Sequence, residues 1–188
     1  ELTKLISETN AQVQKLEQRK NELSSQLNAL KDTADKNEKA AEIAKQNAQT
    51  NGILSGRLAA TGEGVVIRIS QGSKQKIDSA ILFTLLEELR NSGAEVIEIN
   101  NVRVVTSTYI SGTAGSLVCD GTKLKSPFTI RAIGDSDNLQ NAVNLAGGVG
   151  SRLKVKYGAT VSVSPSDKVM IKSTRQAPQY TYAHVIGQ

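Results

Sequence analysis

Along the first part of the chain, apolar residues return at alternating three- and four-residue steps. Leu2, Ile6, Thr9, Val13, Leu16, Lys20, Leu23, Leu27 and Leu30 occupy one track, with mostly polar residues between them. A 3.5-residue repeat keeps one stripe facing a partner only when helices supercoil left-handedly, so the pattern predicts a coiled coil. The same register continues through Ala34, Asn37, Ala41, Ala44 and Ala48, but each alanine buries little area. The seam is therefore Ile6, Val13, Leu16, Leu23, Leu27 and Leu30. Thr9, Lys20 and Asn37 interrupt it, and polar residues at such positions set register or oligomer state at some cost in stability. β-Branched Ile6 and Val13 at a, with Leu16, Leu23 and Leu30 at d, favour a parallel homodimer; trimeric or antiparallel pairing stays open. A single helix packed on its own domain is the alternative, and it would have to cover that leucine stripe itself.

The pattern changes near residue 60. Residues 1–57 read as the helical arm, 58–173 as an α+β domain and 174–188 as a polar, mobile tail. Gly62-Glu63-Gly64 reads as a turn before a first strand, Val65–Ile69. Asp78 is placed to cap a helix striped by Leu82, Leu85, Leu86 and Leu89, which Gly93 ends. Glu95–Ile99 alternates apolar and polar residues and reads as a second strand. Asn100-Asn101 then makes a tight turn into Val102–Val105. Short strands follow at Tyr109–Ile110, Ser116–Cys119 and Lys123–Leu124, then a longer one at Phe128–Ile133. Ser136 or Asp137 is the expected cap of a helix through Leu145, residues 150–157 read as helix, and Thr160–Ser164 and Val169–Lys172 read as two closing strands. The order β-α-β, hairpins, β-α-β predicts a ferredoxin-like two-layer α/β sandwich behind a long coiled-coil helix.

Composition narrows the chemistry. Of 188 residues only six are aromatic and none is Trp, which argues against a large aromatic cage. One Cys excludes an internal disulfide, and one Cys with one His excludes the usual zinc clusters. No run approaches the roughly 20 apolar residues of a membrane span, so an anchor would lie outside this sequence. A start at Glu1 instead of Met points to a partial or processed chain. The net charge of +5 is dispersed and rarely sits beside an aromatic, so no nucleic-acid partner is expected.

Catalytic candidates fail one by one. Cys119 has no basic neighbour in sequence to lower its pKa, and His184 has no nearby carboxylate or serine. Glu87-Glu88 and Asp135/Asp137 are paired carboxylates by spacing alone, explained by helix solvation and N-terminal capping. Asp120, Asp135 and Asp137 lack calcium-loop spacing. Gly62-Glu63-Gly64 precedes a strand, whereas a phosphate loop follows one and opens a helix. The sequence predicts no enzyme, no cofactor and no metal.

One stretch is more specific: Glu88-Leu89-Arg90-Asn91-Ser92-Gly93-Ala94-Glu95-Val96-Ile97-Glu98-Ile99-Asn100-Asn101-Val102-Arg103. With Gly62-Glu63-Gly64-Val65 before it and Ala132-Ile133-Gly134-Asp135 after it, the chain resembles the bacterial family called domain of unknown function 881, of YlxW and YlxX type, encoded near division genes. The resemblance implies a single N-terminal membrane span, a coiled coil and this domain on the outer side of the cytoplasmic membrane, meeting envelope, division or sporulation proteins. It carries no reaction. The chain departs from the family pattern at Asn101, often Gly, and at Glu98, often small. Asn100, Arg103 and Glu95 are the motif residues to follow. They form either a polar binding site at the hairpin edge, or a structural unit in which Asn100 shapes the turn while Arg103 pairs with Glu95 or Glu98. A small-ligand sensor is the alternative function, resting on fold analogy.

Overall fold

The computed structural model of the protein describes residues 2–186 and shows a mixed α+β architecture with antiparallel sheets. Helix α1 spans Leu2–Leu54, and its sequence, without Pro and with its only Gly at position 52, suits an uninterrupted helix. The chain divides into two compact units between Ala48 and Gln49, so the last turns of α1 belong to the same unit as the α+β domain. In the first unit the six seam residues are all exposed, from 47% at Val13 to 69% at Leu16.

The second unit runs β1 (Ala60–Ile69), α2 (Ser79–Asn91), β2 (Val96–Ile99), β3 (Val102–Val104), β4 (Ile110–Thr113), β5 (Ser116–Cys119), β6 (Thr122–Lys123), β7 (Phe128–Ile133), α3 (Ser136–Asn144), α4 (Val149–Val155) and β8 (Val161–Ile171). The main sheet has the order β3-β2-β7-β1-β8 with every pair antiparallel, and β4-β5-β6 form a small second sheet. Two crossovers therefore interleave: β7 fills the space between β1 and β2, and β1 fills the space between β7 and β8.

Alternation along β1 assigns the two sides of the sheet. Val65, Ile67 and Ile69, with Ile97, Ile99 and Ile130, meet Leu82, Leu85, Leu86 and Leu89 of α2 and Leu139, Val143 and Leu153 of α3 and α4. Each such leucine contributes roughly 1.5–3 kcal/mol by leaving water. On the opposite side a smaller cluster joins Val96, Ile133, Val169 and Ile171, with Ile53, Ala60 and Val66 against them.

Several expectations need correction. Gly62-Glu63-Gly64 is no turn but part of β1, bulged where it pairs with β8. Gly64 is required there, because a Cβ would lie 1.9 Å from the Ala132 carbonyl oxygen. All four residues of β2 are buried, Glu98 included, because the Arg131 and Ser173 side chains close over its carboxylate. The closing pair is one continuous strand, β8; as the outermost strand it tolerates Pro165, which lacks an N–H to donate. Asp135 caps α3, accepting from the Asn138 amide at 2.8 Å. The tail does not leave the domain at once, because Arg175 is hydrogen-bonded to the Arg103 carbonyl and paired with Asp120. The Asn100-Asn101 turn has the expected left-handed pair, at φ 44° and 63°.

Candidate functional site

Arg103 is 2% exposed and bonds no carboxylate; it donates to carbonyls. Its Nη1 reaches the oxygens of Leu58 at 2.9 Å and Ser173 at 3.1 Å, and its Nη2 reaches that of Ile53 at 3.0 Å. The Ile53 carbonyl belongs to the last turn of α1, where the dipole favours a cation, and it also accepts from the Gly56 amide at 3.0 Å. Burial lowers the Arg103 pKa, and the Glu98 carboxylate opposes that shift. Gly56, at φ +73°, turns the chain out of α1, and the Arg175 amide donates to its carbonyl at 2.7 Å. Arg175 in turn donates to the Arg103 carbonyl at 2.8 Å and pairs with Asp120. The motif arginine thus fastens the helix exit to the sheet.

Glu98 sits opposite Arg103 across β2–β3, yet its ion pair is with Arg131 of β7, at 2.8 Å. Ser173 donates to its other carboxylate oxygen. Arg131 also donates to the Asn101 side-chain oxygen at 3.5 Å. Strand register puts Glu98, Arg131, Val66 and Ser164 in one row across the sheet, and Thr129, Arg68 and Ser162 in the next. These rows lie on the side away from α2, beyond the cluster that contains Ile53. Here the sheet is open. A hollow of about 640 Å³ is lined by Glu98, Arg131, Lys168, Lys172 and neighbours. A second of about 400 Å³ is lined by Arg68, Lys123, Lys125 and Thr129, and the two share Asn101 and Arg131. Hollows of similar size along α1 are bounded by one helix alone and enclose nothing.

The structure separates the three motif residues. Asn100 is spent on the fold: its amide donates to the Lys125 carbonyl at 2.7 Å and its oxygen accepts from the Thr129 amide at 2.8 Å. Glu95 is exposed and contributes its backbone N–H to the Ile133 carbonyl. Arg103 makes this carbonyl clamp in place of the expected pairing with Glu95 or Glu98. Asn101, Glu98 and Arg131 carry the polar face instead. Glu98 is legible in the sequence only as a carboxylate in an apolar strand, and Lys168 and Lys172 only as dispersed charge. Cys119 is buried, and burial raises its thiol pKa with partial opposition from Arg175. His184 is exposed in the tail, Glu87 pairs with Arg90, and Asp137 is exposed beside the capping Asp135. Among the described residues no cluster of His, Cys, Asp and Glu is placed to hold a metal ion, and no helix is long and apolar enough to cross a membrane.

Residues 47–184 match the family model described as bacterial protein of unknown function, DUF881. The sequence is 34% identical to a UPF0749 protein of Mycobacterium tuberculosis over 169 residues, which is 88% of this chain and 57% of that protein. It is 30% identical to UPF0749 protein YlxW of Bacillus subtilis, over 62% of this chain and 54% of that one. A crystal structure of an uncharacterized conserved protein from Mycobacterium tuberculosis superposes with a TM-score of 0.68 at 35% identity, covering 74% of this chain and 99% of that one. The chain spans little more than half the length of these curated relatives.

Proposed function

This chain belongs to the DUF881 family of bacterial proteins, and we propose that it is a non-enzymatic binding module of the cell envelope. In this reading α1 pairs with α1 of a second copy, and the α+β domain is offered to envelope partners such as division or sporulation proteins. A membrane-spanning segment outside residues 1–188 holds it on the outer side of the cytoplasmic membrane. The observation that carries the reading is the exposed seam: six apolar residues on one 3.5-residue register, uncovered in the single chain. Leaving such a stripe in water forfeits the burial energy that each leucine can contribute. The strand order β8-β1-β7-β2, with β3 added outside β2, supports a ferredoxin-like sandwich. The buried Cys119 thiol, with its raised pKa, supports a non-catalytic role.

The test is self-association. Light scattering over a range of concentrations is expected to give twice the chain mass for the parent. Leu23→Asp with Leu27→Asp is expected to give the single-chain mass, because two charges enter the seam. A monomeric parent at high micromolar concentration, or an unchanged mass in the double variant, removes this reading. The two adjoining hollows on the sheet favour a second reading, a small-ligand sensor, which would reveal itself as a ligand-dependent rise in Tm.

A further inference from the structure

We propose that the open polar face of the sheet binds a phosphate polymer that carries no bases. This goes beyond the envelope-module function and stands whether or not α1 pairs. The two adjoining hollows bring together Arg68, Lys123, Lys125, Arg131, Lys168 and Lys172. Their one lining carboxylate, Glu98, is 3% exposed and already engaged by Arg131 and Ser173. Among the described residues, the other five cations have no ion-pair partner within 4 Å. Residues 1–48 are electrically balanced, so the whole net charge of +5 belongs to residues 49–188. Gathered like charges repel, and an anion lying across them removes that repulsion.

Three features select the anion. Four of the five unpaired cations are Lys, a compact point charge that binds phosphate oxygens from any direction and asks for no planar partner. No aromatic side chain lines either hollow, so there is nothing for nucleic-acid bases to stack on. The cations line two adjoining hollows that share Asn101 and Arg131, which suits a flexible chain reaching from one to the other.

The probe is linear inorganic polyphosphate, titrated into the full chain at about 0.1 M salt and again at higher salt. Binding is expected, with affinity falling steeply as salt rises. Lys125→Glu with Lys168→Glu and Lys172→Glu is expected to weaken it at least about tenfold, since three attractions become repulsions. Lys74→Glu with Lys76→Glu and Lys154→Glu makes the same change in net charge at exposed sites of the same unit that line neither hollow, and is expected to stay within about twofold. The neutral variant Lys168→Gln with Lys172→Gln decides the matter if the triple reversal does not fold. The proposal is overturned if polyphosphate does not bind, if both reversals weaken it equally, or if the neutral variant binds like the parent. Tighter binding of polyglutamate, single-stranded DNA or anionic vesicles at matched charge overturns it equally.

Discussion

Arg103 illustrates how a residue can be singled out correctly by sequence and misread in its contacts. Its position after the Asn-Asn turn marks it, and cross-strand geometry places Glu98 opposite. What decides its partners is the helix exit, a chain segment about 45 residues away in sequence, whose approach to β3 no local pattern announces. Glu98 is hard to read for the converse reason. Its partner Arg131 lies 33 residues on, and only the sheet order makes them neighbours. Replacing Arg103 by Ala removes three charge-assisted hydrogen bonds from part-buried carbonyls on three chain segments. The expected loss is about 2–4 kcal/mol by denaturant unfolding of the full chain. Arg103→Lys is expected to recover less than half of it, because one ammonium cannot span carbonyls on three segments. A loss below about 0.5 kcal/mol would show that the clamp is idle.

Elements with strong local signals are legible in outline: the leucine-striped α2 with its Asp78 cap, the Asn100-Asn101 turn, and the isolated β7 run. Elements shaped by neighbours are not. The bulge in β1 depends on the approach of Ala132, and the unbroken β8 depends on its place at the sheet edge. The cap of α2 also does more than capping. Asp78 accepts from the Ile81 amide at 2.9 Å and from the hydroxyl of Tyr157, just beyond α4, at 2.6 Å. Burial alone would raise the Asp78 pKa, but the Tyr157 and backbone hydrogen bonds carry it below the usual carboxylate value. Burial, then the bond to Asp78, pushes Tyr157 up to about 12. The signs give two limbs. Asp78 binds its proton less readily when folded, so its contribution is present above about pH 4 and fades as pH falls through the lowered value. Tyr157 holds its proton more tightly when folded, so its contribution is present below about pH 10 and fades as pH rises toward about 12. Tyr157→Phe is therefore expected to flatten the alkaline limb and shorten the acid one in a plot of unfolding free energy against pH. Identical limbs in parent and variant would refute the coupling.

At the scale of the whole molecule, the composition shift near residue 60 and the compact boundary at Gln49 differ by about one turn of chain plus the last turns of α1. That interval is what Ile53 and the Arg103 clamp occupy. A fragment of residues 49–188 is expected to melt as one cooperative unit. A fragment of residues 58–188 loses Ile53 from the cluster of Val96, Ile133 and Ile171 and loses one clamped carbonyl. Its unfolding free energy should fall by about 2–3 kcal/mol, or roughly 5–12 °C in Tm. Equal melting temperatures would place the boundary at the composition shift instead.

The clamp also fixes how the molecule answers a pull. Arg103 stands on β3, one outer strand of the sheet, while the Ser173 carbonyl it grips follows β8, the other outer strand. The same guanidinium holds Ile53 in the helix and Leu58 just past it, and Arg175 ties down Gly56 between them. Tension drawn along the end of α1 therefore arrives at several bonds at once and is shared between both margins of the sheet. Bonds stretched together resist far better than bonds unzipped in turn. The helix exit is thus joined to both margins of the sheet through one side chain, so neither margin carries it alone.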